Sequence, residues 1–340
     1  MINLDYSFFF TSVVVVIVAF VLCVGVMRYS ELLKLIDVPN KRSMHAIKKS
    51  RGGGLAIFGA FSLGMFLSEV PVNAYIAIAF AIVFFLGLYD DRYGSSSKTK
   101  IFWIVIASIF LFFGDIYIGF LGVFLGQEVL LPKWIAFIFS LFALVGFINA
   151  VNLIDGLDGL SSGVGIVILA GFAYLGFKYN DMFLLYSASF LILALLTFLY
   201  FNWYPSKMFM GDSGSLTLGF VIAVLSIHSV EKVYITPVTI LLLTAVPILD
   251  TLVVMLRRIR HGQNPFQPDK THIHHIILKQ HYNNVAKTTK ILILLQVVFT
   301  YIGLGFKVRD DFVILTIFIL LYVLFYSMLT PKRINKQNKH

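Results

Sequence analysis

The chain has 340 residues, 59% of them hydrophobic and 13% charged, with one cysteine and a formal net charge of +10. An ordinary soluble domain is about 25% charged, and a mean hydropathy of +0.89 excludes a surface covered mainly by polar groups, so lipid is the expected solvent. The positive charge does not indicate nucleic acid, because most basic residues lie in short loops beside apolar runs, and the lone Cys23 excludes an intrachain disulfide.

Eleven apolar runs long enough to cross a bilayer follow one another, near 8–27, 53–68, 72–89, 101–118, 134–151, 160–177, 183–201, 215–230, 236–256, 289–306 and 312–329. The first is too long for a signal-peptide core and has no basic flank before it, which predicts a retained helix. The runs near 53–68 and 215–230 are short and glycine-rich at one end, so they are expected to tilt or to begin within protein. No internal repeat and no inserted soluble domain interrupt the series. The expectation is an all-α, polytopic membrane bundle of eleven helices forming one domain over 1–340.

The loops near 28–52, 90–100, 152–160, 202–215 and 257–288, with the C-terminal tail, fall on one side of such a bundle. They hold every basic residue except Lys133, Lys178, Lys232, Lys307 and Arg309. Cytoplasmic loops carry the excess of Lys and Arg, which predicts an external N-terminus and a cytoplasmic C-terminus.

The polar motifs fall on that same side. They are Asp90-Asp91-Arg92, Asn149-Ala-Val-Asn152-Leu-Ile-Asp155-Gly-Leu-Asp158-Gly159, Phe209-Met-Gly211-Asp212-Ser213-Gly214-Ser215 and Pro268-Asp269-Lys-Thr-His272-Ile-His274-His275. Carboxylates at a membrane boundary are costly unless paired or bound to a cation, so their default reading is functional. Carboxylate and amide oxygens without thiolates suit Mg²⁺ or Mn²⁺. The His-x-His-His group admits a zinc reading, which would need a further ligand, and its basic surroundings fit phosphate better. Glycines at 156 and 159 permit close backbone approach to a ligand, and the glycine-rich turn at 211–214 opens a helix whose amides can receive phosphate oxygens. Gly-Asp-Ser-Gly also resembles a serine-nucleophile setting, but no His/Asp partner order accompanies it. Each motif has a plainer reading: a solvated cap for Asp90-Asp91-Arg92, interhelical hydrogen bonding for Asn149 and Asn152, a topology anchor for Arg257-Arg258-Ile-Arg260. Their gathering on one face argues for function.

Together these motifs resemble the polyprenyl-phosphate N-acetylhexosamine-1-phosphate transferase superfamily, over essentially the whole chain. Asn264-Pro265-Phe266-Gln267-Pro268-Asp269-Lys270 followed by His272-Ile-His274-His275 is most similar to the branch using a UDP-N-acetylhexosamine without a peptide. The branch using UDP-MurNAc-pentapeptide tends to carry three consecutive histidines and is the alternative. Asp37-Val-Pro39-Asn40-Lys-Arg42-Ser-Met-His45 and Arg51-Gly52-Gly53-Gly54 also match the superfamily, although Lys48-Lys49-Ser50 replaces its usual Pro-Thr-Pro.

The resemblance implies transfer of GlcNAc-1-phosphate from a UDP-sugar to undecaprenyl phosphate, with UMP released, at the bacterial cytoplasmic membrane. It implies Mg²⁺ or Mn²⁺ as cofactor, with Asp212 and Asp91 as ligands. Asp90, Asp91, Asp155, His272, His274 and His275 would be catalytic. Asn152, Asp155, Asp158 and Phe209 would bind the nucleotide, and Arg51, His45 and Lys49 phosphate. A homodimer is compatible with this reading. The rival from another class is a transporter, which predicts acids near the bilayer midplane and repeat symmetry between halves.

Overall fold

A computed structural model describes residues 6–37, 48–263, 272–305 and 311–329. It is a mainly helical bundle. Helices α1 (Tyr6–Arg28) and α2 (Ser30–Leu33) lead to the short antiparallel pair β1 (Ile36–Asp37) and β2 (Lys49–Ser50). Then come α3 (Gly53–Leu67), α4 (Ala74–Tyr93) and α5 (Ser97–Phe113). A hairpin of β3 (Phe120–Phe124) and β4 (Gln127–Leu130) precedes α6 (Lys133–Leu153), α7 (Leu160–Tyr179), α8 (Met182–Asn202) and α9 (Gly211–Glu231). The chain continues through α10 (Pro237–Leu243), α11 (Ala245–Arg260), α12 (Ile273–Gln280), α13 (Val285–Gly305) and α14 (Asp311–Leu329).

Among the described residues, 7 helices are long and apolar enough to cross a membrane, or up to 8 when α10 and α11 count as one span. Helices α3 and α14 are apolar but shorter. In hydrocarbon a helix satisfies its own backbone, which is why these runs fold as helices. Helix α9 is the hub. It is buried over nearly its whole length, and α3, α4, α6 and α7 pack around it. Its hydroxyls turn back on the helix: Ser215, Ser226 and Ser229 donate to carbonyls one turn earlier. Helix α1 lies outside, turning Phe9, Phe10, Ile17 and Val21 outward.

Two expectations are corrected. The apolar run near 236–256 is not one straight helix, because α10 and α11 meet at 92°. Gln296 of α13 fills the break, where its Oε1 accepts the Val246 N–H at 3.0 Å and its Nε2 donates to the Leu243 carbonyl at 2.8 Å. A break in a spanning helix is tolerated where neighbours satisfy the freed groups. The run near 101–118 ends as helix at Phe113, and its end leads into the β3–β4 hairpin, a small element in an otherwise helical bundle.

The helix directions place the motifs. The loop before α7, the C-terminal end of α4 and the N-terminal ends of α5 and α9 share one end of the bundle. The β3–β4 hairpin, Asp181 and Thr236 lie at the other.

Candidate active site

The site is organised around the start of α9. Gly211 has φ +74°, and a methyl group there would stand 2.6 Å from the Asp91 carboxylate, so glycine is required twice over. Asp91 Oδ1 accepts the Asp212 N–H at 2.7 Å. Its Oδ2 accepts the Ser213 N–H at 2.9 Å and the Ser213 hydroxyl at 2.5 Å. A carboxylate from α4 therefore caps α9, satisfying amides a helix start leaves free and meeting the positive end of its dipole. This corrects the expectation that those amides receive phosphate. Asp91, expected as a metal ligand, thus has both its oxygens engaged in this cap.

Asp90, one residue earlier, faces a different partner. Its Oδ2 lies 3.0 Å from Nζ of Lys100 at the start of α5, and Ser95 donates to its Oδ1. The same Lys100 ammonium pairs with Asp212 Oδ2, while Asn152 Nδ2 donates to Asp212 Oδ1 at 2.9 Å and to the Ser215 hydroxyl at 2.7 Å. A cation thus sits between two carboxylates brought from α4 and α9, with an amide from α6 alongside. Among the described residues no group of three or more His, Cys, Asp or Glu is arranged to hold a metal. Mg²⁺, however, typically takes one or two carboxylates and completes its shell with water and phosphate. The Asp90–Asp212 pair fits that donor set, and Lys100 marks a position that favours positive charge.

The first loop is zipped to the segment entering α9. Phe209 N–H donates to the Ser50 carbonyl at 2.8 Å, and Gly53 N–H to the Phe209 carbonyl at 3.1 Å. Lys49 Nζ stands 4.9 Å above the Phe209 ring and donates to the Ser206 hydroxyl, and Ser206 N–H donates to Asp158 at 2.9 Å. Arg51 approaches Asp91 to 3.8 Å. Burial opposes its charge, but Asp91 and then Asp212 outweigh that and raise the guanidinium pKa.

Asp155 lies within electrostatic reach of Asp212, Asp91 and Arg51. Burial raises its carboxyl well above the usual range, and Asp212 and then Asp91 push further in that direction. Across from it, Asp250 of α11 accepts Nδ1 of His272 at 3.1 Å and Nδ1 of His274 at 3.2 Å. His275 stacks on His274 with centroids 4.3 Å apart. Burial, then the charges of His274 and His272, lower His275 to about 4, so it is neutral near pH 7.

The structure thus gathers Arg51, Asp90, Asp91, Asn152, Asp155 and Asp212, with Lys49, Asp158 and Phe209 adjoining and the histidines on the Asp155 side. His45 lies outside the described residues. Sequence reasoning missed Lys100 and Asp250. Lys100 was counted only as a topology charge, although it abuts an apolar run. Asp250 is the sole acid of α11, and an acid within a spanning segment was signal enough.

Comparison with known proteins gives a match to the model of glycosyl transferase family 4 over residues 73–230, a stretch that contains Asp90, Asp91, Lys100, Asn152, Asp155, Asp158 and Asp212. A Bacillus subtilis protein named probable undecaprenyl-phosphate N-acetylglucosaminyl 1-phosphate transferase is 30% identical over 74% of this chain and 72% of its own length. Proteins named undecaprenyl-phosphate alpha-N-acetylglucosaminyl 1-phosphate transferase show similar likeness. That of Pasteurella multocida is 33% identical over 74% of this chain and 73% of its own length. That of Escherichia coli K12 is 29% identical over 74% and 71%.

Proposed function

This chain belongs to glycosyl transferase family 4, and from that premise we propose that it transfers GlcNAc-1-phosphate from UDP-GlcNAc to undecaprenyl phosphate, releasing UMP. The observation that carries the reading is the Asp90–Lys100–Asp212 arrangement, a paired-carboxylate cation position at one end of a helical bundle. The names of the relatives support the GlcNAc donor and the undecaprenyl acceptor.

The reactants are both anions, so the site must supply positive charge and hold them in line. Asp90 and Asp212, with the Asn152 amide beside them, would hold Mg²⁺ or Mn²⁺, which when bound neutralises the pyrophosphate and polarises the phosphorus under attack. Arg51, Lys49 and His45 bind phosphate oxygens. Asn152, Asp155 and Asp158 line the nucleotide pocket, with Phe209 against the uracil. Asp91 keeps α9 capped and so keeps Asp212 in place. His272, His274 and His275 face the leaving phosphate. A lipid phosphate oxygen attacks the β-phosphorus directly, since a phosphate anion needs little activation.

The reading places one catalytic domain, 1–340, in the bacterial cytoplasmic membrane with eleven spans, the N-terminus outside and the active-site loops in the cytoplasm. The excess of Lys and Arg at the end of the bundle that holds the site supports that orientation. The test is UMP release by purified protein in detergent. Release that requires UDP-GlcNAc, undecaprenyl phosphate and Mg²⁺ together supports the reading. Release from UDP-MurNAc-pentapeptide in preference to UDP-GlcNAc, or no release from either, refutes it.

A further inference from the structure

Asp250 lies outside the acidic cluster at the ends of α4 and α9 and is 2% exposed. Its Oδ1 accepts the backbone N–H of Ile273, the first residue of α12, while its Oδ2 takes both histidine Nδ1 atoms. An ionised carboxylate only accepts hydrogen bonds, so both Nδ1 atoms carry hydrogen. Each Nε2 is then the free end of its ring. For His274 the packing shows where that end points: a methyl group on Gly156 would stand 2.6 Å from Nε2. Gly156 sits between Asp155 and Asp158, in the loop assigned above to the nucleotide, and glycine is what lets the ring reach it. His272 stacks behind His274 with centroids 5.6 Å apart and planes 16° from parallel.

We propose that Asp250 is a positioning residue of the transferase, capping α12, holding the Nδ1 hydrogens of His272 and His274, and presenting Nε2 of His274 to the phosphate of the departing nucleotide. This rests on the transferase reading above. As a polyprenyl phosphate oxygen bonds to the β-phosphorus, the bond from that phosphorus to the bridging oxygen breaks. Its electron pair leaves with UMP, and no net proton transfer is required. Charge grows on the UMP phosphate, which the His274 ring stabilises when Nε2 also carries hydrogen. The carboxylate behind Nδ1 fixes the orientation of the ring and the hydrogen at Nδ1.

Asp250→Asn preserves size and removes the second acceptor. The expected result is a kcat for UMP release about 10–100-fold lower, with the donor KM changed by no more than about twofold. Asp250→Glu recovers most of that loss. His274→Gln lowers kcat comparably, and adding Asp250→Asn to it costs little more, as for two residues acting as a unit. Nitrogen NMR of histidine-labelled protein should show His274 protonated at Nδ1 in the parent, and that signal should be lost in Asp250→Asn. An unchanged kcat in folded Asp250→Asn, or a His274 without hydrogen at Nδ1 in the parent, overturns the proposal. The NMR arm needs no turnover. A parent that releases no UMP would therefore refute the transferase reading while the spectra still judge the Asp250–histidine pair.

Discussion

Both ends of the bundle bury carboxylates, and they treat them differently. At the end away from the site, Asp181 caps α8 by accepting the Leu184 N–H at 2.9 Å, and also takes His228 at 2.6 Å and the Tyr234 hydroxyl at 3.1 Å. Burial pushes this carboxyl up, but those hydrogen bonds and the His228 charge bring it down to about 2. Asp311 there accepts the Val123 N–H at 2.6 Å and the Thr236 hydroxyl, tying the β3–β4 hairpin to α10 and α14. At the site end, Asp90 and Asp212 share one lysine, and Asp155 is pushed up by burial with Asp212 and Asp91 adding to it. A carboxylate given fixed donors stabilises the fold. Carboxylates facing one another leave part of their demand for positive charge to a ligand. Asp91 is the exception at its own end, since it is satisfied as fully as Asp181.

The largest expected effect is on chemistry alone. Asp212→Asn should lower kcat/KM by roughly 10³-fold while the melting temperature in detergent stays near that of the parent; normal turnover at saturating Mg²⁺ would remove Asp212 from the cation position. Asp181→Asn should do the reverse, costing about 2 kcal/mol of stability with unchanged UMP release. The folded pKa of Asp181 lies below its unfolded value. Its contribution is therefore fully present above the ordinary carboxylate range and is lost as pH falls through about 2. A melting scan against pH should show the two proteins converging in acid.

Asp91→Asn tests the exception. It should cost about 1 kcal/mol through the α9 cap and lose activity in step, whereas Asp212→Asn separates the two readouts. A loss of activity with no change in melting would return Asp91 to the cation site. The smallest effect belongs to Asp155→Asn, measured in EDTA. The folded protein retains a proton on Asp155 that the unfolded chain releases, so this residue costs stability increasingly as pH rises above the ordinary carboxylate range. The variant should melt slightly higher than the parent at neutral pH and match it in acid.

Much of the candidate site was legible because its residue types are costly in a membrane. Acids, amides and histidines stand out against apolar runs, so Asp90, Asp91, Asn152, Asp155, Asp158 and Asp212 could be read in order. Their division of labour could not. Asp90 and Asp91 are adjacent and chemically identical, but successive helix positions face different directions, so one reaches Lys100 and the other caps α9. The bend between α10 and α11 was hidden for a related reason. The residue that supports it, Gln296, lies 50 positions from Val246, which it bonds.

The sequence by itself determined the solvent and the inventory. Hydropathy requires helices in lipid, and the residue types define carboxylate, amide and histidine motifs that gather on alternate loops. Tertiary structure alone decided which of those groups meet. Hydrogen bonds and ion pairs act over about 3–4 Å, whereas the partners here come from helices far apart in the chain. Asp91 became a cap, Asp90 and Asp212 became a pair, and Asp250 became the anchor of the histidines only when α4, α9, α11 and α12 were set against one another.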